Sequence, residues 1–165
     1  MGGHCIAVDP WFIIEKCPVD TEIITLSRKI NDSMPEYTVE HIKKIVEGID
    51  NSKIAILGVT YKGNIDDTRE SPALKIIAGL EKIGIKYSIY DPHVRKFKYE
   101  VSSLEETFKE ADCAVILSGH NEFRFLQPVE IGKLMRNKVL FDTKCCVDHN
   151  IWKQNGFKVY CLGVG

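Results

Sequence analysis

The chain has 165 residues, 44% of them hydrophobic and 27% charged, which suits an ordinary folded domain or slightly more than one. Its formal net charge of −1 offers no basic field for a nucleic-acid backbone or an anionic bilayer, and no apolar run nears the ~18–20 residues of a membrane span. Glycines follow Met1 where a signal peptide would be charged and then apolar, and Ile6 stands where myristoylation needs Ser or Thr. A soluble cytoplasmic domain is therefore expected.

Residues 1–18 read as irregular, punctuated by Gly2, Gly3, Pro10 and Pro18. Between residues 20 and 49 the apolar positions Ile23, Leu26, Ile30 and Met34, then Ile42, Ile45, Val46 and Ile49, keep helical spacing. Pro35 interrupts that pattern, and Ser33 with Glu36 resembles a capping box, so the sequence predicts two helices in line or one kinked near residue 35. From residue 53 the texture changes to strands alternating with helices. The strands are expected at 53–61, 86–90, 113–117, 139–142 and 158–162. Helices are expected from Pro72 to Gly84 and at 103–111, about 128–136 and 149–155. Such alternation implies right-handed crossovers. The expected fold class is α/β, a long linker helix followed by a Rossmann-like, doubly wound parallel sheet of about five strands. Domain boundaries fall at 1–18, 19–51 and 52–165.

Six cysteines are present, at 5, 17, 113, 145, 146 and 161. The chain is rich enough in Ile, Val and Leu to fold without disulfides. Cys113 and Cys161 lie in apolar strand runs and read as buried hydrophobes. Zinc on Cys145, Cys146 and His149 is the sharper alternative, but no C-x-x-C spacing supports it and no metal is expected.

Two stretches carry chemistry. In a parallel sheet, ligands sit at the carboxyl ends of the strands. The loop after the first strand, 61–70 (YKGNIDDTRE), is therefore a candidate site, and Asp91 ends the second strand where a dinucleotide fold keeps its ribose-binding acid. Gly58 and Gly63 fit neither G-x-G-x-x-G nor a P-loop. Lys62 and Arg69 offer positive charge to a phosphate, or Arg69 pairs with Asp66 or Asp67 and stiffens the loop. The second stretch is 2–12 (GGHCIAVDPWF). Cys5 follows a glycine pair whose backbone amides favour a thiolate, and such a thiol suits acyl chemistry; the plainer reading is a chance cysteine in a tail.

Together these stretches resemble the nucleotide-sugar 6-dehydrogenase family, which includes UDP-glucose and GDP-mannose dehydrogenases. Residues 2–12 resemble the loop of the family's catalytic cysteine. Residues 53–92 (KIAILGVTYKGNIDDTRESPALKII, then YDP) resemble the opening of its C-terminal nucleotide-sugar-binding domain. The helix between them matches the family's interdomain, dimer-forming helix. His4 and Val8, with Pro10-Trp11-Phe12 after Asp9, make the loop similar to members acting on UDP-N-acetyl-D-mannosamine, and secondly to those acting on UDP-N-acetylglucosamine.

The resemblance implies an NAD-dependent, four-electron oxidation of a C6 alcohol to a uronate. The intermediate aldehyde has no good hydride to give until a nucleophile makes its carbon tetrahedral. Cys5 would form that thiohemiacetal and then a thioester that water releases. By the same match Asp9 assists catalysis, and Gly2, Gly3, His4, Tyr61 and Lys62 contact the UDP-sugar. Arg69 would reach NAD. Asp142-Thr143-Lys144 resembles an Asp-x-Arg turn whose arginine binds the nucleotide sugar, with Lys144 lacking the planar fork. The family's N-terminal NAD-binding domain has no counterpart in these residues, so the chain alone is expected not to turn over. It would be either a split product acting with a separate N-terminal polypeptide or a truncated one, and it would form a homodimer through the long helix. A non-catalytic nucleotide-sugar-binding or dimerising module is the alternative, and a stand-alone thiol hydrolase built on Cys5 and His4 is a third.

Overall fold

A computed structural model describes residues 9–163. Gly2, Gly3, His4 and Cys5 lie outside the described residues. The chain opens on α1 (Asp9–Lys16) and α2 (Glu22–Ile45). It continues through β1 (Lys53–Leu57), α3 (Pro72–Lys82), β2 (Lys86–Tyr90), α4 (Leu104–Phe108) and β3 (Cys113–Ile116). A 3-10 turn (Asn121–Phe125), α5 (Pro128–Leu134), β4 (Val139–Asp142), α6 (His149–Gln154) and β5 (Lys158–Cys161) complete it.

The five strands form one parallel sheet in the order β2-β1-β3-β4-β5. Alternate residues of each strand face opposite sides, as a period of two requires. Ile54, Ile56, Ile89, Cys113, Val115 and Phe141 pack with Val39 and Ile42 of α2, with Val46 just past its end, and with Ile76, Ile77 and Leu80 of α3. Ala55, Leu57, Ala114, Ile116 and Leu140 pack on the other side with Phe108, Ile131 and Trp152 of α4, α5 and α6. Helices on both faces make the sheet doubly wound, and the order reverses between β1 and β3.

Local chemistry sets the helix starts. Ser71 Oγ accepts from the Ala73 N–H, Ser103 Oγ from Glu106 and Asp148 from Asn150, each satisfying an otherwise orphaned donor of a first turn. Pro72 takes the first helical position of α3, where a missing N–H costs nothing.

Three expectations change. Residues 1–18 are not irregular throughout, because Asp9–Lys16 is helical; Pro10 sits in its first turn, where proline is tolerated. Of the two readings at Pro35, the single helix is the one formed, with Pro35 inside a continuous α2. Ser33 does not cap a new start; its Oγ donates to the Ile30 carbonyl, three residues back, as a residue inside a helix does. Cys161 is only half-buried, and its thiol faces Cys145 rather than the core, because β5 is an edge strand.

The two halves of α2 differ. Val39 and Ile42 are buried against the sheet, whereas Ile23, Leu26 and Ile30 are 81%, 60% and 55% exposed. Gly79 of α3 lets α2 approach, since a Cβ there would lie 2.7 Å from Val39 Cγ2.

Candidate functional site

At the carboxyl end of the sheet, three loops converge on Gly119. A Cβ on Gly63 would fall 2.1 Å from the Gly119 carbonyl oxygen, so the Lys62-Gly63 turn lies backbone to backbone on the loop after β3. A Cβ on Gly119 would stand 3.7 Å from Lys144 Cβ, which places the turn after β4 against the same residue. Lys62 and Lys144, 82 positions apart in sequence, thus sit on turns that share one neighbour. Both residues are exposed.

Two buried carboxylates hold these turns. Asp91, at the end of β2, accepts from the Val59 N–H at 2.8 Å, the His93 N–H at 2.9 Å and the Val94 N–H at 3.2 Å. Its Oδ2 also lies 3.0 Å from His120 Nε2. Burial opposes the Asp91 carboxylate, but His120 and the Val59 and His93 amides outweigh it and hold its pKa below the ordinary value. His120 Nδ1 accepts the Asn64 N–H at 2.9 Å, so that nitrogen carries no proton and Nε2 is the donor. Thr60 Oγ1, 3.2 Å from Nε2, donates to the Lys62 carbonyl at 2.7 Å. One imidazole thus joins the end of β2 to both flanks of the Tyr61-Lys62 turn.

Asp142 plays the matching part at the end of β4. It accepts from the Lys144 N–H at 2.9 Å, the Cys146 N–H at 2.8 Å and the Val147 N–H at 3.2 Å, and lies 3.1 Å from His149 Nε2. Burial, reinforced by Asp142, pushes the Cys146 thiol up to about 12. Although Lys144 is exposed overall, partial desolvation of its ammonium lowers its pKa, with Asp142 and Cys146 acting the other way.

A cavity of about 350 Å³ opens beside this end, lined among others by Trp11, Arg28, Asp32, Tyr61, Glu70 and Ser71. Trp11 belongs to the cysteine stretch and Tyr61, Glu70 and Ser71 to the second motif, so the two motifs meet here. Arg28 is 3% exposed and pairs with Asp32 one helical turn along α2. Asp9 is exposed in the first turn of α1. Arg69 is exposed and forked onto Asp67, with Nε at 2.9 Å and Nη2 at 2.7 Å from its two carboxylate oxygens. Of the two readings of Arg69, the loop-stiffening pair is the one formed in this structure.

Cys145, Cys146 and His149 do not gather as metal ligands: His149 turns to Asp142 and Cys145 to Cys161. Among the described residues the group that does gather is His93, His120 and Glu122, with ligand atoms within 4.8 Å of one another. Both nitrogens of His120 are already engaged, which leaves two donors there.

The sequence reading did not single out His120 or Arg28. A histidine directly after an apolar strand, in Ser118-Gly119-His120, was the available signal for the first. Nothing in a helical pattern marks Arg28 as buried.

A family model described as the UDP-glucose/GDP-mannose dehydrogenase family, UDP binding domain, matches residues 55–149. The chain belongs to this family. It is 46% identical over 168 residues to the UDP-N-acetyl-D-mannosamine dehydrogenase of Methanocaldococcus jannaschii, covering 100% of this chain and 39% of that protein. Among solved structures, it superposes on the UDP-N-acetyl-mannosamine dehydrogenase of Staphylococcus aureus with a TM-score of 0.82 at 38% identity. That match covers 99% of this chain and 38% of the other. The Pyrococcus horikoshii UDP-D-ManNAc dehydrogenase gives a TM-score of 0.86 at 33% identity, with the same coverage. The chain spans about two fifths of the length of the curated relatives it matches.

Proposed function

We propose that these residues form the UDP-sugar-binding part of an NAD-dependent UDP-N-acetyl-D-mannosamine 6-dehydrogenase. The observation that carries this reading is the cavity shared by Trp11 and Tyr61, because it joins the cysteine stretch to the nucleotide-sugar motif. Lys62 and Lys144, on turns that meet at Gly119, supply cationic donors for a diphosphate. Gly2, Gly3, His4 and Tyr61 contact the sugar nucleotide. Cys5 is the nucleophile that captures the C6 aldehyde, and Asp9 assists it. The domain plan is a cysteine segment at 1–18, a linking helix at 19–51 and the UDP-sugar domain at 52–165.

NAD does not fit the Rossmann-like domain described here. A Cβ on Gly58 would lie 2.7 Å from Ser118 Cβ, so the glycine opening after β1 is filled by the protein itself. Asp91, which would bind a ribose, is fully occupied by internal donors. The oxidation steps belong to a cofactor site that these residues do not build. Arg69 is the contact carried over toward NAD, after release from Asp67.

The exposed Ile23, Leu26 and Ile30 support a homodimer through the first half of α2. No helix among the described residues is long and apolar enough to cross a membrane, in keeping with a cytoplasmic enzyme acting on UDP-sugars.

Calorimetric titration tests the binding role: UDP binds the 165-residue chain, and the K62A variant binds at least about tenfold more weakly, as loss of a charge-assisted contact requires. Equal affinities, or no UDP binding by the unsubstituted chain, would overturn it. With NAD and UDP-N-acetyl-D-mannosamine the isolated chain is expected to show no turnover. Mixing with an N-terminal polypeptide bearing G-x-G-x-x-G should restore NAD reduction. A non-catalytic module predicts UDP binding without that restoration.

A further inference from the structure

Cys145 and Cys161 hold their sulfurs 2.8 Å apart, closer than any packing role demands of two thiols. Both are free. The fold makes the approach. Asp142 and Cys161 are register partners at the ends of β4 and β5, and the chain turns back after Asp142 to bring Cys145 over the edge strand. Cys145 takes a left-handed conformation (φ 51°), which an L residue other than Asn or Asp seldom adopts. The hydrogen bonds from Lys144, Cys146 and Val147 to Asp142 keep it there. Cys145 is exposed, so an oxidant in solution reaches its sulfur directly.

We propose that Cys145 and Cys161 are a thiol-oxidation site, closed to a disulfide by a peroxide-class oxidant, and that closure locks the turn carrying Lys144. In the first step the Cys145 thiol releases its proton and its sulfur attacks a peroxide oxygen. The O–O bond breaks, a sulfenic acid forms, and the leaving hydroxide takes up that proton and departs as water. In the second, the Cys161 sulfur attacks the sulfenic sulfur. The S–S bond forms, the S–O bond breaks, and the Cys161 proton departs with the hydroxyl as a second water. Two thiols are oxidised by two electrons and one peroxide is reduced to two waters. The groups facing the pair are Asp142, Cys146 and the backbone of β5. Burial and the neighbouring Cys145 push the Cys161 thiol up to about 11, which suits it to the second, resolving role and leaves the exposed Cys145 to react first.

Among the described residues, the other three cysteines have no such arrangement. Cys113 is fully buried, and burial raises its thiol. Cys146, next in sequence to Cys145, is turned toward the Asp142 network and half-buried. Cys17 is exposed in another part of the structure, before α2. Cys5 lies outside the described residues.

The consequence for binding rests on the reading that Lys144 contacts the nucleotide sugar. A crosslink one residue away holds its turn in the ligand-free arrangement, so any movement that binding requires is opposed.

The test treats the folded 165-residue chain with hydrogen peroxide, followed by alkylation, intact mass measurement and tryptic mapping. Free thiols are expected to fall from six to four, with a mass loss of about 2 Da. Peptides 145–153 and 159–165 should appear joined. C145S and C161S should each abolish the joined species, and C146S should preserve it. Circular dichroism of each variant confirms that it is folded. A disulfide between the adjacent Cys145 and Cys146, or oxidation that leaves both peptides separate, would overturn the assignment. UDP titration of the oxidised and reduced chains then tests the lock, with binding about threefold weaker or more after oxidation. Equal affinity overturns the lock while leaving the disulfide standing. Absence of UDP binding by the reduced chain counts against the proposed function alone, since the mass result does not depend on it.

Discussion

His120 Nε2 stands 3.0 Å from Asp91 Oδ2, and both side chains are wholly buried. This pairing turns the acid that would bind a ribose in a dinucleotide fold into an internal brace. Its backbone acceptance from Val59, His93 and Val94 leaves no face for a ligand.

Asp91→Asn replaces one acceptor oxygen by a donor facing other donors. It is expected to cost about 2 kcal/mol in urea unfolding, the usual penalty for a buried polar group left unmatched. The folded Asp91 pKa lies below its ordinary value of 3.8. Its stabilisation is therefore complete above that value and is lost as pH falls through the folded pKa. The unsubstituted chain should lose more stability than the variant between pH 4 and the acid limit of folding, about pH 2. Parallel acid titrations of the two would contradict this.

Gly63→Ala puts a methyl 2.1 Å from a backbone oxygen that no rotamer change can move aside. About 3 kcal/mol of destabilisation is expected, at the severe end for overpacking. UDP affinity should drop as well, since the turn bearing Lys62 must lift from Gly119. A thermal melt and one titration on the same sample check both.

Lys144→Arg supplies the planar fork that a lysine lacks. A bidentate guanidinium recognises a phosphate more strongly than a point charge does, so UDP binding should tighten by about threefold. The gain should shrink with added salt. Unchanged or weaker binding at low ionic strength would remove Lys144 from the diphosphate site.

Leu26→Asp and Ile30→Asp place charge on the exposed half of α2. Light scattering should show a dimer for the parent and a monomer for the double variant, with the far-ultraviolet spectrum unchanged. A monomeric parent would remove this face from assembly.

Most of the α/β body was legible because strand periodicity and punctuation agreed. Val139 to Asp142 lies between a polar turn and a carboxylate, and Lys86 to Tyr90 between Gly84 and Asp91-Pro92, so β4 and β2 begin and end where the sequence predicts. The first helix was not legible. Pro10 and Pro18 read as breaks, although a proline in a first turn is compatible with helix. Pro35 left two readings open, and burial of its ring and of Val39 and Ile42 keeps α2 continuous through the missing hydrogen bond. In the site, the motif residues Tyr61, Lys62 and Arg69 stood out by type and spacing. The role of His120 did not, since it depends on three partners between 29 and 60 residues away. The meeting of Cys145 with Cys161 was hidden for the same reason, as it needs the register of β4 on β5.

The two dissimilar halves of α2 separate the folded core from an exposed apolar face along a single rod. Substitutions after Pro35 act on the sheet's own core, while those at Ile23, Leu26 and Ile30 leave that core intact. The apolar surface at one end can therefore be rewritten by changing a few side chains, with the loops at the carboxyl end of the sheet held in place from the other.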